Sequence, residues 1–285
     1  MTDVLCVGEP LISLTPPPHT SLSVADEVHL GVGGAELNVA LHLARLGVAV
    51  AYAGAVGDDP FGVRLRLTLA AAGVDCSELR ESAGPTGAYF KEPGEQTRML
   101  YYRAGSAGSR LPPLSEATLA RVGLVHATGV SLALSGEIAR TVRALHVHPR
   151  SWRLSFDVNF RPGLWSAAEA GPALLDAARA ADLVFVGRDE ADAVWGTSGS
   201  DQIRDLLGDD IELVIKDGAD AVEVWDRGRW WRSPPPPVAV VEPVGAGDAF
   251  AAAYLAARLG GCDPAAAAQE GHQLAGRVMS RVADQ

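Results

Sequence analysis

The sequence predicts an α/β fold, a mostly parallel sheet with helices on both faces. Three observations carry this. Short apolar runs alternate with segments whose apolar residues recur at helical spacing. At 48% hydrophobic and 21% charged residues, the 285-residue chain can form a large core. One segment, residues 86–109, breaks the alternation with two strand-like runs around a turn.

The elements follow in order. "DVLCVG" (3–8) reads as the first strand. In "GVGGAELNVALHLARLG" (31–47), Leu37, Ala40, Leu41 and Ala44 share a helix face and Gly47 stops it. "VAVAYAGAVG" (48–57) is a buried strand. The next helix has Asp59 as N-cap, Pro60 at its first position and Gly73 at its end. "LVHATG" precedes a helix near 134–146, "RLSFDVN" one near 166–180, and "DLVFVG" one near 189–195. "ELVIKDG" (212–218) and "VAVV" (238–241) read as further strands. The exceptional segment, "TGAYFKEPGEQTRMLYYRAGSAGS", is a hairpin turning at "EPGE". With little apolar alternation to bury, it predicts a small projecting sheet completed by strands from 9–32. "SPPPPVAV" (233–240) is a rigid link, so one domain spans 1–285, with a lid from about 9–32 and 86–109.

Composition excludes several functions. A net charge of −11 disfavours nucleic acid and anionic membrane surfaces as partners. Cys6, Cys76 and Cys262 are odd in number and far apart, which fits neither a disulfide framework nor a zinc site. No run of about 18 apolar residues occurs and no basic leader opens the chain, so the expectation is a cytoplasmic protein without a membrane span.

The chemistry concentrates at glycines. In "PVGAGDAF" (243–250), Gly245 and Gly247 let backbone N–H groups converge at the positive end of a helix. Gly245 and Gly247 thus shape a cavity suited to an anion such as a phosphate in transfer. Asp248 would repel that phosphate, and its chemical use is to take a proton from an attacking hydroxyl. Taken alone, the stretch also fits a tight turn with a capping acid. It is neither a dinucleotide fingerprint, since Phe250 replaces the third glycine, nor a Walker A loop. A second cluster, Gly33 and Gly34, lets a ligand approach the backbone, with Asn38 facing the same helix end. Tyr101 and Arg103 read as one strand face, with Tyr89 on the partner strand. Asp157, Asn159 and Arg161 lie at a strand's C-terminal end, where open α/β sheets bind ligands. Two arginines near one cleft point to an anionic substrate, because guanidinium pairs bidentately with carboxylate. Singly, each also fits a surface ion pair.

Together these residues resemble the ribokinase-like (PfkB) carbohydrate kinases. Within that family, "GEPLISLTP", "VGGAELNVALHLARLG", "YYRAGSAGS", "FDVNFRPGLW" and "EPVGAGDAF" are most similar to the branch acting on 2-keto-3-deoxygluconate. The resemblance implies a three-layer α/β/α sandwich with a small β-sheet lid, and a homodimer joined through that lid. It implies ATP and Mg²⁺ as co-substrates, with a monovalent cation (K⁺) as a further candidate. It assigns Asp248 as catalytic base, Gly245, Ala246 and Gly247 as the anion hole, and Gly34, Tyr89, Tyr101, Arg103 and Arg161 as sugar-acid contacts. Lys216 and Gly218 in "VIKDGAD" would stand on the nucleotide side. His272 stands where an Asn near the adenine is common. In "GRDE", Gly187 replaces the family's Asn while Glu190 is kept, as a metal residue acting through water. Ser13 stands near the position where neutral-sugar members carry an Asp, and Glu242-Pro243 replaces the usual Asp-Thr. The implied activity is ATP-dependent phosphorylation of a sugar-acid hydroxyl. The alternatives are a neutral-sugar kinase of the fructose or ribose type and a non-catalytic sugar-binding relative.

Overall fold

The structure is a computed structural model that describes residues 2–94, 97–134, 136–146 and 150–280. Its strands are β1 (Thr2–Val7), β2 (Leu11–Thr15), β3 (His29–Gly33), β4 (Val50–Val56), β5 (Leu79–Glu81), β6 (Ala88–Glu92) and β7 (Arg98–Tyr102). They continue with β8 (Val122–Thr128), β9 (Arg153–Asp157), β10 (Leu183–Gly187), β11 (Glu212–Lys216), β12 (Val222–Asp226) and β13 (Arg229–Ser233). The helices are α1 (Ala35–Arg45), α2 (Pro60–Ala71), α3 (Glu116–Leu119), α4 (Gly129–Leu134) and α5 (Gly136–Ala144). After these come α6 (Ala167–Arg179), α7 (Arg188–Trp195), α8 (Ser200–Leu207), α9 (Ala246–Leu259) and α10 (Pro264–Met279).

Nine strands form the main sheet in the order β13-β12-β11-β10-β9-β8-β1-β4-β5. It is parallel from β5 to β11 and antiparallel at β12 and β13. The parallel strands are buried on both faces, and alternate side chains feed two separate cores. Val4 and Cys6 join the core under α1, α2, α9 and α10. Leu5 and Val7 join the core under α5, α6, α7 and α8. The result is a three-layer α/β/α sandwich. The chain leaves β1 toward β4 on one side and later returns to β8 on the other. That reversal opens a crevice at the C-terminal strand ends.

A second sheet, β3-β2-β6-β7, is built from the 9–32 segment and the 86–109 hairpin. Its strands β2 and β6 run parallel, while the outer pairs are antiparallel. Asp59 caps α2 by accepting from the Gly62 N–H at 2.8 Å and also accepts from Thr86 N–H and Oγ1, which fixes the base of the hairpin. Glu95, the last residue of the expected "EPGE" turn, lies outside the described residues.

Three expectations are corrected, and one element is additional. "VAVV" is not a strand: the four prolines before it donate no N–H, and Val241 and Glu242 instead donate to the Met279 carbonyl at the end of α10. The helix expected near 134–146 begins at Gly129, as α4 followed by α5. Arg103 lies one residue beyond β7, so its strand does not position it as expected. The β12–β13 hairpin was not anticipated. Its two-residue loop, Arg227-Gly228, has positive φ at both positions (51° and 74°), as a type I′ turn requires, and arginine is an uncommon choice there.

Candidate active site

One cleft of about 340 Å³ collects most of the sequence-predicted residues. Gly34, Asn38, Tyr89, Tyr101, Arg103, Asp157, Asn159, Arg161, Glu190, Lys216, Gly245, Gly247 and Asp248 all line it. They arrive from the two sheets and from the helices that follow the parallel strands.

The floor is the start of α9. Gly245 adopts φ 81°, a left-handed conformation that suits glycine, and no side chain caps the helix. Gly247 is exposed, so the positive helix end opens into the cleft. Asp248 projects from the first turn and its Oδ2 accepts from Asn38 Nδ2 at 2.8 Å. Asn38, expected as a substrate contact, therefore holds Asp248. Burial pushes the Asp248 carboxyl up to about 7. The Asn38 hydrogen bond, Arg161 and Lys216 pull it down, while Asp157 adds to the rise. Such a group is poised for proton transfer near neutrality.

Lys216 ends β11 and its Nζ donates to Asp157 Oδ2 at 2.8 Å. A Cβ on Gly247 would lie 3.7 Å from that ammonium, so Lys216 stands beside the open end of α9. Burial opposes its charge, but Asp157 and Glu190 hold its pKa above the ordinary lysine value. Lys216 thus belongs to the ionic centre of the cleft. Gly218, two residues on, is exposed at φ 52° and does not line the cleft.

Glu190 receives the Gly187 N–H at 3.0 Å in a capping arrangement that needs no side chain at 187. It also lies 3.4 Å from Arg161 Nη1. Burial raises its pKa, Lys216 and Arg161 oppose the rise, and Asp157 adds to it. Asn159 holds a left-handed φ of 41°, and its Oδ1 is buried, as is Asp157 Oδ1. Neither oxygen has a partner among the described residues. Two unsatisfied acceptors at the crevice are polar sites that a substrate, water or cation would satisfy.

Two glutamates missed in the sequence complete the walls. Glu9, 2% exposed, accepts from Arg103 Nε at 2.7 Å and also binds Arg103 Nη2 and Ser106 Oγ. Arg103 is consequently already paired, and the expected two-arginine clamp is uneven: its other member, Arg161, is half exposed. Glu36, 1% exposed, accepts from Thr128 N–H and from the hydroxyls of Thr128 and Ser131, which ties α1 to the end of β8. Their signal was an acid within two residues of a glycine: Gly8-Glu9 and Gly34-Ala35-Glu36. Adding a Cβ at Gly8 would collide with Glu36, and at Gly108 with Glu9.

Two expected residues lie elsewhere. Gly33 is buried against the Tyr89 ring, behind the cleft wall. His272 is 7% exposed in α10, with Nε2 donating to the Ser233 carbonyl at 2.8 Å and its ring edge-on to Phe250. Burial lowers its pKa, and it does not line the cleft.

No group of three metal-binding side chains occurs among the described residues, and no described helix is long and apolar enough to cross a membrane. The profile of the pfkB family carbohydrate kinases matches residues 1–285. A protein of Thermoproteus tenax named 2-dehydro-3-deoxygluconokinase is 34% identical over 279 residues, covering 93% of this chain and 84% of its own. The crystal structure of a PfkB protein from Polaromonas sp. JS666 superposes with a TM-score of 0.90 at 31% identity, over 98% of this chain and 96% of that one. A fructokinase from Xylella fastidiosa with bound ATP superposes with a TM-score of 0.85 at 27% identity, over 98% and 92%.

Proposed function

The chain belongs to the pfkB family of carbohydrate kinases, and from that premise we propose that it transfers the γ-phosphoryl group of ATP to a hydroxyl of 2-keto-3-deoxygluconate (2-dehydro-3-deoxygluconate) or a close sugar acid. The observation that carries the reading is the Asn38-held Asp248 at the uncapped end of α9, opposite Arg161 in the same cleft. The similarity to a relative named for this substrate supports it.

In this reading Asp248 takes the hydroxyl proton. The freed oxygen forms a bond to the γ-phosphorus, the bond to the bridging oxygen breaks, and ADP leaves. The backbone N–H groups of Gly245 and Gly247 line the cleft where charge develops on the phosphoryl oxygens, while the Ala246 N–H is engaged by the Pro243 carbonyl at 3.2 Å; preorganised donors at such a position accelerate transfer most. Lys216 adds a fixed positive charge beside them. Tyr89 and Tyr101 wall the sugar, Gly34 gives it backbone access, and Arg161 pairs with its carboxylate.

Mg²⁺ usually keeps several waters and takes one or two carboxylates plus phosphate oxygens, so the absence of a three-ligand cluster among the described residues does not conflict with it. Asp157, with its free buried Oδ1, and Glu190 would hold it, and it would supply neutralisation of phosphate charge. The proposal includes a K⁺ requirement, checked by exchanging K⁺ for tetramethylammonium. With ATP as donor, the reading places the protein in the cytoplasm. It also pairs two copies through the outer face of the lid, where Leu14, Leu30, Phe90 and Leu100 fall in register and Tyr102 is 67% exposed.

The Glu9–Arg103 pair favours one other reading, a neutral-sugar kinase, since it removes half of the charge a carboxylate would meet. The deciding experiment is ATP consumption with 2-keto-3-deoxygluconate, fructose and ribose side by side. A kcat/KM highest for the sugar acid supports the proposal, a preference for fructose or ribose establishes the alternative, and no turnover with any of them refutes both.

A further inference from the structure

A second cavity of about 660 Å³ lies on the other side of Asn38 and Gly245, between the inner face of the lid, α1, α2 and the end of α10. Its lining is basic in a chain of net charge −11. Lys91, Arg45, Arg64 and Arg277 all border it, and no Asp or Glu among the described residues does. Arg64 donates to the Leu30 carbonyl and Arg277 to the Gln273 carbonyl, contacts that leave both charges unneutralised.

Lys91 is the informative residue. It sits on β6 opposite Met99 and is only 5% exposed, yet among the described residues it makes no hydrogen bond or ion pair. Its stem is buried while its ammonium borders the cavity, where no acid among the described residues supplies the counter-charge. On the same lining, burial and then the Arg45 charge push His42 down to about 4. The volume suits a small organic ligand, larger than inorganic phosphate alone.

We propose that this cavity is a second anion site, separate from the catalytic cleft, and that it takes a small phosphate-bearing metabolite through Lys91, Arg45, Arg64 and Arg277. Phosphate is the chemistry that lysine and arginine clusters bind best. Because Asn38 and Gly245 border both cavities, an occupant here adjoins the residue that holds Asp248.

The probe is inorganic phosphate, titrated into the full chain at constant ionic strength and read by thermal unfolding. It is run with and without a saturating non-hydrolysable ATP analogue, so that the open end of α9 is filled. The expected result is a saturable rise in Tm that survives the analogue. Lys91→Met should weaken it by at least about tenfold, while Lys91→Arg stays near wild type. If Lys91→Met fails to fold, the exposed pair Arg45→Gln and Arg277→Gln serves instead. The proposal is overturned by the absence of saturation, by complete competition from the analogue, or by equal affinity in the charge-removing variants. Because sugar specificity does not enter this readout, its failure is distinguishable from failure of the kinase reading.

Discussion

Asn38 Nδ2 and Asp248 Oδ2 stand 2.8 Å apart across 210 residues of sequence, joining the first helix of the chain to the helix that carries the anion hole. A hydrogen bond to a carboxylate favours its charged form, so Asn38 keeps Asp248 more acidic than burial alone would leave it. Replacing Asn38 by Leu should therefore move the acid limb of the pH profile of kcat/KM from near 7 to higher pH. Activity at pH 7 would fall and would recover in part at pH 8.5. An unmoved limb would separate Asn38 from the titrating group.

Asp248→Asn keeps the shape and removes the base. Loss of a general base slows a reaction by about 10²–10⁴, so kcat should fall by that range while sugar affinity stays within a few-fold. The same variant has a stability signature. The folded-state pKa of about 7 lies above the ordinary carboxylate value, so the native state holds its proton longer than the unfolded chain. Wild-type stability from this group is full at low pH and is lost as pH rises through about 7. The variant lacks that loss. It should be more stable to unfolding than wild type at pH 8, by on the order of 2–4 kcal/mol, with the gap shrinking toward pH 4. A gap constant with pH would mean that Asp248 titrates normally.

The small sheet should close over the sugar. Its outer strand β7 carries Tyr101 and Tyr102, 44% and 67% exposed, and few fully buried side chains anchor it to the main body. Lids that exclude water from phosphoryl transfer open and close on each cycle. Amide exchange across 98–102 should slow when the sugar acid binds, while exchange in β9 and β10 stays constant. Equal exchange with and without ligand would make the sheet a fixed wall.

What the sequence disclosed follows physical lines. The parallel strands were legible because burial on both faces makes them continuous apolar runs, and α2 because Asp59, Pro60 and Gly73 punctuate it. The α9 chemistry was legible because glycines and an acid at a helix start have few other uses. What escaped reading depends on contacts distant in sequence. Glu9 and Glu36 look like ordinary acids until Arg103, Thr128 and Ser131 are folded against them. The Lys216–Asp157 contact escaped reading because the two lie 59 residues apart in sequence and 2.8 Å apart in space. "VAVV" read as a strand because apolarity registers in a sequence window, whereas the competition of α10 for its N–H groups does not.

The two arginines of the cleft should behave differently when removed. Arg103 is 11% exposed at its side chain and engages Glu9, which is 1% exposed. Removing one partner of a buried pair leaves an uncompensated charge and destabilises by about 3–5 kcal/mol. Arg103→Ala should thus lower Tm and reduce kcat/KM on acid and neutral sugars alike. Arg161 is 50% exposed, and its ion-pair contact with Glu190 is long at 3.4 Å, so little folding energy depends on it. Its charge is available to a ligand. Charge-assisted hydrogen bonds are worth roughly 1.5–3 kcal/mol, or about 10- to 150-fold in affinity. Arg161→Ala should leave Tm within a degree or two of wild type, in line with the small effects of exposed substitutions. It should lower kcat/KM for 2-keto-3-deoxygluconate by that 10- to 150-fold factor and leave fructose nearly unchanged. Measuring both substrates and Tm in both variants separates the roles. Equal losses on the two sugars in Arg161→Ala would make Arg161 structural and would remove the carboxylate contact from the proposed mechanism.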